Sequence, residues 1–488
     1  MDFSSAGYKN SEMAIPSVST KATVTPSGAD DASRIQDAID AVSKLPIQSN
    51  GFRGAVQLGS GVFHVGNPLY LRASGVVVKG TLDTKGSLLT TINMIRKPFT
   101  LFEVGQSCSY ATHGASVKIR DSYVPSGSHA VEVSDASSLS VGDTVLVQRD
   151  VSEAYVHFMG MDHLVRDGRP QTWIKAGTSI TTERTIAAVN GSSIVFSVPL
   201  SDSIDSKYLD NGRVTKCSVS RLSNVGVESF HATAPSSTFN MSLSQSTFFI
   251  AKFECVLDAW VRDVATAGLY NFAEANGHSK RITVTDIFMS HADVKNADGA
   301  KSFVLSVSDS DEILVDSFVA LGLDGLFFLG TGSTGSGPIV IRNAHFDGSG
   351  SSIQPHMRWS TGLLVETTNV TEGDGKASSG IDLIDRGTMG SGHGWTMGWG
   401  VVWNCKAPLF TVQQPPGATN WCIGCVGKRD PQPQPGGEPT KDLPEGIVDS
   451  PNAFVVPNSL FETQLKYRLR RSFSASYFDM HNFTASIA

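Results

Sequence analysis

The sequence predicts an all-β solenoid, and three observations predict it. A short helix leads into glycine-punctuated strands, a long loose repeat follows, and the composition is poor in charge. At 488 residues the chain exceeds one ordinary core. A solenoid escapes that limit because each coil contacts only its neighbours. Glycine is abundant (47 residues) and charged residues are only 17% of the chain, too few for the salt-bridged surface of a helical protein. The net charge of −7 comes with no Lys/Arg block, which argues against nucleic acid or anionic membrane as partners. No apolar run is long enough to span a bilayer.

The elements follow in order. Residues 28–42 offer Asp30 or Asp31 as an N-cap and place Ile35, Ala38, Ile39 and Val42 on one helical face. Residues 54–65, 68–71 and 75–80 are short β-rich pieces between glycine turns. Residues 116–205 break the pattern and read as an inserted β subdomain. Its polar and aromatic loop, 155–173, holds His157, Asp162, His163, Arg166, Arg169 and Trp173. A loop of that length is functional or disordered, and its aromatics argue for order.

From about 220 a repeat emerges in Val225-Gly-Val-Glu228, Trp260-Val-Arg-Asp263, Ile282-Thr-Val-Thr-Asp286, Ile313-Leu-Val-Asp316 and Ile339-Val-Ile-Arg-Asn343. The terminal acids or amides lie 35, 23, 30 and 27 residues apart, a solenoid spacing. Alternating aliphatics would stack inward as ladders, and the Asp or Asn suits the turn that follows. An antiparallel sandwich is the competing fold, but it does not usually keep so long a repeat with a helix at one end. After Cys425, residues 430–437 are Pro/Gly-rich and serve as a linker or wrap. Residues 459–470 then read as an amphipathic helix closing the C-terminal end. The divisions are 1–115, cap and first coils; 116–205, insertion; 206–425, main coils with the expected active cleft; and 426–488, linker and capping tail.

The helix, the strand pair Gly54-Ala-Val-x-Leu-x-x-Gly-x-Phe-x-Val65 and Ser74-Gly-Val-Val-Val-Lys-Gly80 resemble, in that order, the N-terminal cap and first rungs of pectate-lyase-like proteins. The resemblance covers about residues 24–80. It implies a right-handed parallel β-helix acting on or binding an extracellular polysaccharide, and does not specify the reaction.

The N-terminus lacks the basic start and apolar stretch of a secretory signal. Glycosylation triplets begin at Asn190, Asn240, Asn369 and Asn482. The cysteines, at 108, 217, 255, 405, 422 and 425, are even in number. The expectation is a secreted chain whose leader has been removed. Cys422-Ile-Gly-Cys425 lacks the second pair of a zinc ribbon, so a disulfide involving Cys405 is at least as good a reading.

Chemistry concentrates between 354 and 421, where five of the seven tryptophans fall: 359, 395, 399, 403 and 421. His356, Arg358, Arg386 and His393 stand among them beside glycines. A polysaccharide lyase acting on a uronic-acid glycan must neutralise a carboxylate and then remove the neighbouring proton. Arg358 and Arg386 suit the first task, and His356 or His393 the second, as base or proton donor. Trp359, Trp395 and Trp399 are candidate sugar platforms, with Asp298, Asp324 and His163 as further substrate contacts. A hydrophobic plug is the structural alternative for the tryptophans, and Trp260 and Trp403 read as core.

A glycoside hydrolase on the same fold would need paired carboxylates. Asp298, Asp324 and Asp347 are spaced 26 and 23 residues apart, and Asp382 and Asp385 add to the supply. A third reading is a binding protein without catalysis, because one fold hosts many activities. No cofactor is expected, although Asp293, Asp298 and Asp324 offer oxygen ligands for Ca²⁺. The oligomeric state is open. Rossmann, nucleophile-elbow and His-Glu-x-x-His motifs are absent.

Overall fold

The structure, a computed structural model, describes residues 1–235, 248–269, 271–290, 303–322, 327–348, 352–371, 380–430 and 443–472. The chain is a right-handed parallel β-helix whose 26-stranded sheet winds into three faces. One interior ladder runs along the first face through Ala22, Val56, Val78, Val227, Val261, Val284, Val315, Ile341, Val365, Val402, Cys422 and Val448. The repeat seen in the sequence is this ladder. Successive coils put an aliphatic at one register position, and each covers the one before it.

Side chains alternate across a strand, so the neighbours of that ladder face outward. They are mostly apolar: Ala55, Val77, Trp260, Leu314, Val340, Leu364 and Val401, with the buried Thr283 between Trp260 and Leu314. Gly226 precedes Trp260 in this outer row, and an added Cβ there would lie 2.1 Å from the indole. An apolar outer face must be covered. The N-terminal segment covers the early part with Tyr8, Val18 and Phe52 packed round Trp260. The helix Leu460–Ser472 covers the later part, with Phe461 and Phe3 against Leu314, Val340 and Leu364. That helix therefore lies along the flank of the coils and not over their end. Its N-terminus is capped by Ser459, whose Oγ accepts from Glu462 N at 3.0 Å. The buried Glu366 carboxylate accepts from Leu460 N at 2.7 Å and Phe461 N at 3.1 Å.

At the other end, the helix Ala32–Ser43 buries Ile35, Ile39 and Val42 against the first coils. Between the strands Thr100–Gly105 and Leu222–Thr233 the helix is interrupted by a six-stranded antiparallel sheet, spanning Ala111–Lys118 to Leu209–Ser218. It has its own core, including Val131, Val145, Val147, Ile186 and Phe196. A disulfide, Cys108–Cys255, ties the entry of the insertion to the coil stack. Cys405, Cys422 and Cys425 are buried free thiols, so the bridge expected at Cys405 is not formed.

Candidate functional site

The four predicted catalytic groups come together. The His356 and His393 rings meet edge to face at 4.5 Å. Arg386 Nη1 donates to the His356 carbonyl at 3.0 Å. Arg358 donates to the carbonyls of Gly392 and Ser391, each at 2.9 Å, and to Ser391 Oγ at 2.6 Å. Burial first, then the neighbouring Arg386 charge, pushes His356 down to about 4 and His393 down to about 3. Both imidazoles are therefore neutral, and both guanidinium groups hold main-chain carbonyls.

The tryptophans around them form a plug. Trp359 is 4% exposed and Trp395 3%, packed against Tyr155, Trp173 and Ile174 of the insertion loop, which leaves neither ring a face for a sugar. Trp359 and Trp399 donate their indole N–H groups to the two oxygens of Asp202, at 2.7 and 3.1 Å, and Arg149 pairs with the same carboxylate. Trp399 is half-buried, with Trp421 at 6.1 Å. Trp260 is fully buried, on the outer face and not inside the coils, and Trp403 is partly buried beneath the C-terminal segment.

Among the carboxylates, Asp382 is buried and accepts from Gln354 at 3.0 Å, while Asp347 accepts from Thr371 at 2.8 Å. Burial pushes Asp385 up to about 6. His163 is exposed on the insertion loop. Asp293, Asp298 and Asp324, the candidate Ca²⁺ ligands, lie outside the described residues.

Sequence reasoning missed a second site, a cleft of about 220 Å³ between the inserted sheet and the coils. Tyr110, Ser179, Thr181 and Glu183 line one side. Arg221, His278, Ser279, Lys280, Asp309, Ser310, Asp311 and the segment Thr334–Ser336 line the other. Lys280 and Asp311 are register partners on successive coils. The following residues, Arg281 and Glu312, adopt positive φ of 57° and 58°. The backbone therefore turns a corner at the same place on both coils and presents the charges ahead of it to the insertion.

Lys280 Nζ lies 3.4 Å from both Glu183 and Asp311 and 3.0 Å from Glu312. Arg221 grips Glu183 through both terminal nitrogens and donates its Nε to the His278 carbonyl at 2.6 Å. The fully buried Arg184 joins the insertion to the coils, donating to Asp311 at 2.9 Å and to the carbonyls of Pro199 and Gly337. Burial alone would raise the Glu183 pKa, but Lys280 and Arg221 outweigh it and hold the carboxyl near about 2. Burial, reinforced by Glu312, pushes Asp311 up to about 6 despite Lys280 and Arg184. Burial and the Glu183 charge raise Tyr110, which stays protonated, and burial lowers His278. Three carboxyl groups thus surround one ammonium: Glu183 and Glu312 are pulled down and Asp311 is pushed up, so below about pH 6 Asp311 is protonated while Glu183 is ionised.

No protein-family profile matches the chain, and no curated protein matches it. Solved structures do. The Pseudomonas phage phi297 tailspike gp61 is 9% identical, with 82% of this chain and 67% of that one covered and a TM-score of 0.37. The Gp54 tailspike of Acinetobacter baumannii bacteriophage AP22, solved with A. baumannii capsular saccharide, is 12% identical over 82% of this chain and 61% of that one, with a TM-score of 0.38. The Azotobacter vinelandii mannuronan C-5 epimerase AlgE4 A-module is 12% identical over 82% and 85%, with a TM-score of 0.35. This chain thus spans about two thirds or less of the length of these two tailspikes.

Proposed function

We propose that this parallel β-helix acts on a polysaccharide in the cleft between insertion and coils, and that the reaction is hydrolysis of a glycosidic bond. One observation carries the reading: Glu183 and Asp311 each lie 3.4 Å from the same Lys280 ammonium, the first ionised and the second protonated up to about pH 6. Paired carboxyl groups whose environments separate their protonation are the acid–base assignment a glycosidase requires. Asp311 would protonate the leaving oxygen, and Glu183 would act on water or on the anomeric carbon. The hydroxyls of Ser179, Thr181, Ser279, Ser310, Thr334 and Ser336 suit a polyhydroxylated ligand, and the Tyr110 and His278 rings, 4.3 Å apart, offer it an aromatic edge.

A second reading, β-elimination, is favoured by one observation in the same cleft: His278, lowered by burial and so a neutral base, has its ring 4.3 Å from that of Tyr110, whose protonated hydroxyl could donate. Against it, Arg221 is already committed to Glu183, and the lining carboxylates repel a uronate. The disulfide supports an oxidising, extracellular setting. The test is to incubate the protein with neutral and uronic-acid polysaccharides while following reducing ends and the ultraviolet absorbance of an unsaturated uronate. Reducing ends without absorbance, lost in Glu183→Gln and Asp311→Asn, support hydrolysis. Rising absorbance moves the assignment to elimination, and binding without new ends reduces it to a lectin-like role.

A further inference from the structure

We propose that the turn following the short helix Glu153–Phe158 of the insertion is a binding site for one divalent transition-metal ion of the zinc class, held by His157, Asp162 and His163. The inference is independent of the cleft. One donor atom from each of the three residues lies within 4.8 Å of the other two. The Asp162 carboxylate sits between the rings, with one oxygen 2.6 Å from His157 Nδ1 and the other 3.6 Å from His163 Nε2.

The turn that carries them is fixed from beneath. Ser152 Oγ accepts from Tyr155 N at 3.1 Å and caps the helix. Tyr155, Val156, Met159 and Met161 are buried against the tryptophan plug, while the three donors point to solvent. Met161 N donates to the Val156 carbonyl at 3.0 Å and Gly160 N to the His157 carbonyl at 3.0 Å, which closes the turn. The donors are thus brought together by a backbone that packing already orders, so little freedom remains to be lost on binding.

Their chemistry selects the ion. Two imidazoles and one carboxylate suit Zn²⁺, Ni²⁺ or Co²⁺. Ca²⁺ and Mg²⁺ prefer more oxygens than one carboxylate supplies. Three protein ligands leave a position for water or for a group on a bound glycan. An ion here would also brace the loop whose Tyr155 packs on Trp359, and so the seat of the insertion on the late coils.

The experiment uses metal-free, tag-free full-length protein, titrated with ZnCl₂ by calorimetry and with CoCl₂ by visible absorption. One equivalent should bind. His157→Ala and His163→Ala should each weaken binding by more than the roughly 10–100-fold that loss of an outer-shell partner costs. His113→Ala, an exposed histidine elsewhere on the insertion, should leave binding unchanged. ZnCl₂ should raise the unfolding temperature of the wild type and not of the H157A/H163A double variant, whose circular dichroism without metal should match the wild type. Equal binding by the double variant, absence of binding by the wild type, or preference for CaCl₂ over ZnCl₂ would overturn the assignment.

Discussion

Lys280 and Asp311 occupy equivalent positions on adjacent coils, so the register that stacks the core aliphatics also holds the cleft's acid beside its cation. The pH dependence follows from which form each carboxyl must take. In the proposed hydrolysis Asp311 acts when protonated, and its pKa is raised to about 6, so cleavage should fall as pH rises through that value. On the same proposal the acidic limit would be set by Glu183, which stays ionised down to about 2. Asp311→Asn should lower kcat by about 10²–10⁴-fold and remove the limb near pH 6. Stability has its own signs. The raised Asp311 contributes stability below its ordinary 3.8 that is lost as pH rises through about 6, while the depressed Glu183 contributes stability above 4.5 that is lost as pH falls toward 2. Urea midpoints measured across that range check both. The histidine cluster makes the opposite forecast. His393→Ala, if folded by circular dichroism, should keep its cleavage rate, and a loss would return the chemistry to residues 356–393. That cluster was legible in the sequence because rare residue types crowd a short window. The cleft was not, because Glu183, Lys280 and Asp311 are single charges in ordinary strands and only the coil register and the insertion bring them together.

The elements around the cleft are braced by the Cys108–Cys255 disulfide. Tyr110 follows two residues after Cys108, the Cys108 sulfur lies 3.8 Å from the carbonyl of Gly277 beside His278, and the Cys255 sulfur lies 3.4 Å from that of Ser220 beside Arg221. The bridge thus touches the chain next to three of the cleft's side chains, and it closes a loop with a sequence separation of 147. By chain entropy such a loop is worth roughly 5 kcal/mol. A Cys108→Ser/Cys255→Ser variant should melt lower and lose at least ~10-fold in kcat/KM, with far-UV circular dichroism of β-helix type retained. Unchanged kcat/KM would show that the cleft does not depend on the brace. The elements themselves were readable where local pattern decides them. The cap helix, the first rungs and the repeat all rest on residues adjacent in sequence. The outer row was not readable, since Trp260 and Leu314 alternate with core residues and nothing local says that the chain's own ends will cover them.

At the scale of the molecule, a solenoid gains stability from nearest-neighbour coils and can fray from either end. This one carries two clamps that join coils which are not neighbours. Gly7 N donates to the Glu312 carbonyl at 2.8 Å, Tyr8 N to Thr283 at 2.8 Å, and Lys9 pairs with Asp258 at 2.7 Å, so one short segment spans three coils. The C-terminal helix is anchored by Glu366 and Arg342, and it meets the N-terminal segment through Arg468, which donates to the Ser4 hydroxyl and carbonyl, each at 2.9 Å. The segment 3–12 and the helix Leu460–Ser472 therefore cross-brace one face. Denaturant unfolding of the wild type should be a single transition, coincident by tryptophan fluorescence and far-UV circular dichroism. Phe461→Ala should cost about 3–5 kcal/mol, because its ring is buried between the segment that begins the chain and the coils. Deleting residues 1–12 should separate the two probes, since the early coils around Trp260 and the late coils around Trp359 and Trp395 would no longer be tied. A truncated chain that still unfolds in one coincident transition at the wild-type midpoint would mean that the coil-to-coil ladder alone carries the cooperativity.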